Sequence, residues 1–181
     1  GMSIFIVDLH QAIGKGLTVR PIRNLVNHET NELFFENLEI PEENLIGVEG
    51  QGFKHILDGL NPERTLIAAE CIGDGYWFVE RATKYANDRI VFDRPIGKNQ
   101  FVQDLIAQMV LDYETSKLLV MQAAWLKDKG VRNTRETSLA KWHATESAFK
   151  AAHNAIQVHG AYGYSAEYGI ERYFRNARAP I

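Results

Sequence analysis

From Phe101 to Tyr113 the apolar residues Phe101, Val102, Leu105, Ile106, Met109, Val110 and Tyr113 recur at intervals of three and four, while Gln103, Asp104, Gln108 and Asp112 take the other faces. One apolar stripe at that period predicts an amphipathic helix running to about Asp128. Lys127 and Lys129 suit its negative end, and Gly130 suits a cap. A second long helix is expected from about Thr134 to His159, where Ala140, Ala144, Ala148, Ala151, Ala152 and Ala155 leave little bulk and permit close helix approach. Upstream, Leu66, Ile67, Ala68, Ala69, Ile72, Tyr76, Phe78, Val79 and Ala82 mark a helix from about Glu63 to Asp88, and "SAEYGIERYFRNAR" suggests a last one. Four helices joined by short links predict a mainly α protein built on an up-and-down bundle.

The first fifty residues have a different texture. "MSIFIVDL", "LTVRPI" and "NELFFENLEI" are rich in β-branched and aromatic residues, and "GKG" at 14–16 is a turn signal. Three antiparallel strands are expected. So small a sheet needs a further surface to bury its apolar face, so it reads as part of a larger β-domain.

Composition adds mainly exclusions. The 181 residues are 45% apolar, enough for a packed core, and 20 basic against 23 acidic residues are mixed along the chain, leaving a net charge of −3. No field favours nucleic acid or an anionic membrane. No apolar run reaches the ~20 residues a membrane helix needs. Cys71, the single cysteine, reads as a small buried side chain in a protein of a reducing compartment, the cytoplasm or a mitochondrial matrix. His143, His153 and His159 are spaced ten and six apart, not the four that places two ligands on one helix face, so no metal is expected. Neither "GKG" nor "GAYGY" has the G-x-G-x-x-G spacing of a dinucleotide loop.

Two stretches could carry chemistry. In "YANDRIVFDRPIGKNQ", Arg89 and Arg94 lie in a turn beside a helix start near Asn99, where guanidinium forks and free backbone N–H groups suit a phosphate. On spacing alone, a C-terminal helix cation and a solvated loop arginine explain them as well. In "LNPERTLIAAE", Asn61 suits an N-cap, Pro62 a first helical residue and Glu63 the positive end of the helix dipole. The same Glu63, turned toward the small apolar residues that follow, could serve as a general base, since burial moves carboxyl groups toward the neutral range where bases work best. The residues alone leave both readings open.

Taken in order, "MSIFIVDL", "NELFFENLEIPEENLIG", "GQGFKHILDGLNPERTLIAAE", "YANDRIVFDRPIGKNQFVQ" and "QVHGAYGYSAEYGIERYFRNAR" resemble the C-terminal half of the acyl-CoA dehydrogenases, flavin enzymes that oxidise acyl-CoA thioesters. The resemblance implies that residues 1–49 are the closing strands of that family's middle β-domain and 50–181 its helical bundle domain. It implies an FAD cofactor, with Arg89, Phe92 and Gln100 touching the FAD of a neighbouring subunit and Gln157 and Gly160 approaching the ADP portion. Arg64 matches an arginine near the acyl-CoA, and Asn61 stands where many members have an aspartate at the pantetheine arm. Asp93 stands where a glycine usually follows the phenylalanine, and Ala161 where a second glycine follows Gly160.

In one branch of the family the base is a glutamate of a "YEG" motif downstream of the last helix; in another it comes from the helix bearing "ER", the place of Glu63. The implied reaction is α,β-dehydrogenation to a 2-enoyl-CoA, with Glu63 taking the α-proton. The implied partners are a homo-oligomer, dimer or tetramer, and an electron-transfer flavoprotein. The rival reading is a truncated, non-catalytic homologue acting as a helical oligomerisation module.

Overall fold

The computed structural model describes residues 1–25 and 30–181. They form two compact units, Gly1–Leu60 and Asn61–Ile181.

In the first unit, strand β1 (Leu17–Ile22) pairs antiparallel with β2 (Thr30–Phe35), in a register that sets Leu17 opposite Phe35 and Ile22 opposite Thr30. The third expected strand does not form. "MSIFIVDL" makes isolated bridges, Met2 with Gln51 and Phe5 with Leu45, and Asp8 then caps a one-turn helix, α1 (Leu9–Ala12), by accepting from the Gln11 N–H. Too few ladder bonds run along this segment to hold it as a strand, and the aspartate offers its backbone a helical alternative. Leu33 and Phe35 on one face of β2 and Phe34 on the other all remain exposed, so both faces of the pair are uncovered here.

Helix α2 (Gly52–Asp88) begins about ten residues earlier than its "NPE" start signal indicates, and Pro62 lies inside it. Phe53, Ile56, Leu57 and Leu60 continue the three-and-four spacing upstream of the proline, so the apolar period extends the helix past a local start signal. The proline supplies no N–H to the turn before it. Asn61 is therefore a helix-interior residue, and its carbonyl accepts from the Thr65 hydroxyl at 2.9 Å.

A two-residue hairpin, β3 (Ile90–Val91) with β4 (Arg94–Pro95), joins α2 to α3 (Gln100–Asp128), which is followed by α4 (Thr134–His159) and the short α5 (Ile170–Asn176). The expected limits of α3 and α4 hold. Gly130, at φ +68°, ends α3 with two reverse bonds, its own N–H to Lys127 O and the Val131 N–H to Leu126 O. This is the left-handed glycine cap that the sequence suggests.

Two apolar clusters show how the helices run. Ala68 and Cys71 of early α2 pack with Val120 and Ala123 of late α3 and Ala140, Ala144 and Ala148 of early α4. Phe78, Ala82 and Ala86 of late α2 pack with Met109 of early α3, Ala151, Ala152, Ala155 and Val158 of late α4, and Ile170 of α5. The three long helices therefore alternate in direction, and α5 completes the bundle as a short fourth member. All six alanines predicted to let α4 approach its neighbours are buried. Burial raises the Cys71 thiol to about 12, with Asp74 and Glu70 adding to the shift, so this sulfur stays protonated and inert. Among the described residues no helix is long and apolar enough to cross a membrane.

Candidate functional site

Asn61, Glu63 and Arg64 lie within one turn of α2. Glu63 is exposed, and among the described residues it has neither hydrogen bond nor ion pair. Arg64 is half-buried and donates from Nη1 to Asn61 Oδ1 at 3.2 Å; among the described residues no carboxylate neutralises it. Asn61 in turn donates to Thr134 Oγ1 at 3.0 Å and Asn133 Oδ1 at 3.4 Å, at the start of α4. Asn133 does not use its side chain as an N-cap but donates to the carbonyl of Ala123 in α3, at 2.9 Å. Three helices thus converge on the residue that orients Arg64.

The opposite end of the bundle holds the second set. The β3–β4 turn has Phe92 and Asp93 at φ +51° and +60°, the two left-handed positions of a tight hairpin whose twist matches its strands. Left-handed backbone explains why glycine suits the position of Asp93, and aspartate is among the residues that tolerate it. Phe92 at the tip is 93% exposed. Arg94 does not pair with Asp93 but donates to Asn99 Oδ1 at 2.8 Å. Arg89 is exposed and, among the described residues, without an ion pair, its guanidinium carbon 5.6 Å from the ring centre of Tyr162. Gln100 is exposed at the start of α3.

Behind Arg89 lies an aromatic stack. Tyr85 stacks on His159 at 4.3 Å between centroids, and Tyr162 and Tyr168 close around them. His159 Nδ1 lies 2.7 Å from the carbonyl of Ala155, which as an acceptor fixes the proton on that nitrogen. Immediately after it, Gly160 caps α4 at φ +59°, and Gln157, Gly160 and Ala161 line an open cavity of about 440 Å³ with His153, Tyr164 and Arg175.

Burial lowers the His159 imidazole below its ordinary 6.5, opposed by the Ala155 hydrogen bond. The unfolded chain gains this proton near its ordinary value and the folded chain only at lower pH. The stability held above about pH 6.5 is therefore lost progressively as pH falls toward the folded value. His159→Phe, which keeps a ring against Tyr85, is expected to flatten that part of the profile. Melting temperatures at pH 7.5 and 5.5 check this: the drop should be smaller in the variant.

The chain matches the family description "Acyl-CoA dehydrogenase, C-terminal domain" over residues 50–180. It belongs to the acyl-CoA dehydrogenase family. An acyl-CoA dehydrogenase of Bacillus subtilis is 39% identical over 181 residues, covering 98% of this chain and 47% of that protein. A subunit of the caffeyl-CoA reductase–Etf complex of Acetobacterium woodii is 35% identical over 179 residues, covering 98% and 47%. A solved glutaryl-CoA dehydrogenase in complex with glutaryl-CoA superposes with a TM-score of 0.94 at 36% identity, covering 99% of this chain and 46% of that one. The chain therefore spans about half the length of the curated relatives it matches.

Within the family frame, the structure separates the expected residues into two groups. Asn61, Glu63 and Arg64 lie at one end of α2. Arg89, Phe92 and Gln100 lie at the other, where the Gly160 turn also sits. Arg89 follows directly on the end of α2, 25 residues on from Arg64, which is roughly 37 Å at 1.5 Å per residue. Sequence reasoning missed the supports of both groups. Tyr85, Tyr162, Asn133 and Thr137 draw no attention in the sequence, Thr134 and His159 mark helix limits, and His159 is otherwise weighed only as a metal ligand; no local signal distinguishes them, because their partners lie far away in the chain.

Proposed function

We propose that this chain is the C-terminal half of an FAD-dependent acyl-CoA dehydrogenase that converts an acyl-CoA thioester to its 2-enoyl-CoA. Residues 1–49 would be the closing strands of the middle β-domain and residues 50–181 the helical domain. The observation that carries the reading is the pair at Glu63 and Arg64: among the described residues, a carboxylate with no hydrogen-bond or ion-pair partner next to a half-buried guanidinium that no carboxylate neutralises. Glu63 takes the α-proton at its carboxylate, and Arg64 uses its remaining N–H donors to hold the polar portion of the thioester. The other half of such an enzyme would cover Glu63 and supply the dry wall that these residues do not form.

The residues at the far end of α2 fit a flavin nucleotide. Arg89 is an unpaired fork donor on an exposed surface, Phe92 is an aromatic side chain with almost no covering, and Gln157 and Gly160 border an open cavity of about 440 Å³. Arg89 would bind the pyrophosphate, Phe92 and Gln100 would flank it, and Gln157 and Gly160 would approach the ADP portion. FAD, when bound, supplies the hydride acceptor for the β-hydrogen.

The separation of roughly 37 Å between Arg64 and Arg89 is longer than one flavin nucleotide spans, so the two ends of α2 would serve different FAD molecules. That supports a homo-oligomer in which each chain completes its neighbour's site. Leu111, Leu118, Met121, Trp125 and Trp142, all exposed along α3 and α4, supply apolar surface of the kind subunits bury. An electron-transfer flavoprotein is the proposed acceptor. Turnover of a series of acyl-CoA thioesters by the complete FAD-loaded protein, followed by reduction of a dye, tests the reading; an enzyme that binds FAD yet oxidises none of them would overturn it.

A further inference from the structure

Three of the four hydrogen-bonding directions of the Asn61 amide are taken up by protein, and Thr137 comes near the fourth although its single hydroxyl hydrogen has closer acceptors in Asn133 O and Thr134 O, at 3.0 and 3.1 Å. Arg64 can only donate, so the atom 3.2 Å from its Nη1 must be the amide oxygen, which fixes the orientation of the group. The Thr137 hydroxyl approaches the same oxygen at 3.3 Å. Both hydrogens of the nitrogen point at Thr134 Oγ1 and Asn133 Oδ1, at 3.0 and 3.4 Å. The Thr137 hydroxyl also lies 3.0 Å from Asn133 O, and Asn133 is anchored to Ala123 of α3, so the brace reaches all three long helices. One of its bonds goes to the half-buried guanidinium beside the candidate base.

We infer that Asn61 is a positioning residue that holds Arg64 in its thioester-binding orientation by tying it to the start of α4. The inference rests on the reading of Arg64 as a thioester contact. A guanidinium on a long stem loses considerable rotamer entropy when a ligand fixes it; a partner that fixes it beforehand removes that cost from binding. Pro62 makes such a brace useful. It deletes the backbone bond that would run back to Asp58, in the turn leading up to Asn61 and Arg64, and side-chain bonds from another helix compensate for the lost local restraint.

The test is a double-mutant cycle on the complete FAD-loaded protein. Its readout is calorimetric binding of acetyl-CoA, a thioester without a β-carbon that cannot turn over. Asn61→Ala is expected to weaken binding about tenfold, the order expected for one hydrogen bond to a charged group. In an Arg64→Ala background the same substitution should change affinity less than about twofold, because the residue it acts through is gone. Asn61→Asp, which keeps an acceptor for Arg64, should restore most of the affinity lost in Asn61→Ala.

An Asn61→Ala effect that persists undiminished without Arg64 would overturn the inference and leave the role of Arg64 standing. So would unchanged affinity in Asn61→Ala. An Arg64→Ala protein that binds acetyl-CoA normally would overturn the thioester reading and the inference with it. If Asn61→Ala does not fold, Asn61→Ser carries the same cycle, with melting temperature recorded throughout. A purely structural role would lower the melting temperature of each Asn61 variant without any coupling to Arg64 in acetyl-CoA affinity, and that result too would overturn the inference.

Discussion

Glu63→Gln is expected to lower acyl-CoA turnover by about 10²–10⁴-fold, the range that a positioned general base contributes. Glutamine keeps the size and hydrogen-bonding outline of the side chain but cannot accept the α-proton. Because Glu63 is exposed and makes no hydrogen bond or ion pair among the described residues, its replacement removes no packing and orphans no partner. Melting temperature and FAD content should therefore stay at wild-type values, which separates lost chemistry from lost structure. A second readout is independent of the flavin: exchange of the α-proton of a bound thioester with solvent deuterium should be abolished in the variant. Exchange continuing at the wild-type rate would assign the base to another carboxylate. The family offers one such alternative, a glutamate following the last helix.

The bundle was legible because its apolar residues follow one period for long distances. The limits of α3 and α4 needed no tertiary information: Gly130 carries its own stop signal, and the alanines of α4 announce a face on which backbones approach closely. Where a local signal met a longer one, the longer prevailed. "NPE" has the chemistry of a helix start, yet Phe53, Ile56, Leu57 and Leu60 extend the period upstream, and ten residues of helix precede the motif. "MSIFIVDL" failed for the opposite reason. Strand propensity is realised only through a partner, and here it finds isolated bridges with residues 45 and 51.

The candidate site divided similarly. Glu63, Arg64 and Arg89 carry chemistry in their own side chains and could be named from the chain. The atoms that fix their geometry could not. Tyr162 under Arg89 is 73 residues away in sequence, and Thr134 is 73 from Asn61. Such pairs appear only when α4 is laid against α2. The substitution of aspartate for glycine at position 93 gained its explanation the same way. It preserves a hairpin that needs left-handed backbone, which the loop's sequence alone does not reveal.

The second large effect concerns the core on which both ends of α2 depend. Phe78 is 1% exposed and sits where α2, α3, α4 and α5 meet, against Met109, Ala152 and Ile170, with Trp77 edge-on at 5.2 Å between centroids. Three of the four buried α4 residues in this cluster, Ala151, Ala152 and Ala155, are already at their minimum size and cannot extend into a void; Val158 is the fourth. Phe78→Ala is therefore expected near the full cavity cost, about 3–5 kcal/mol, with a fall in melting temperature of roughly 10–20 °C. Lys84→Ala, exposed on the same helix, should stay within about 0.5 kcal/mol and controls for helix propensity. Urea denaturation followed by circular dichroism measures both. A loss below about 1 kcal/mol at Phe78 would mean that the bundle can close over the space, which the alanine packing of α4 argues against. Because Phe78 lies between Arg64 and Arg89 on one continuous helix, loosening it should also weaken FAD retention in the assembled protein. The spacing between the proposed base at one end and the proposed phosphate-binding arginine at the other is only as rigid as the packed middle that separates them.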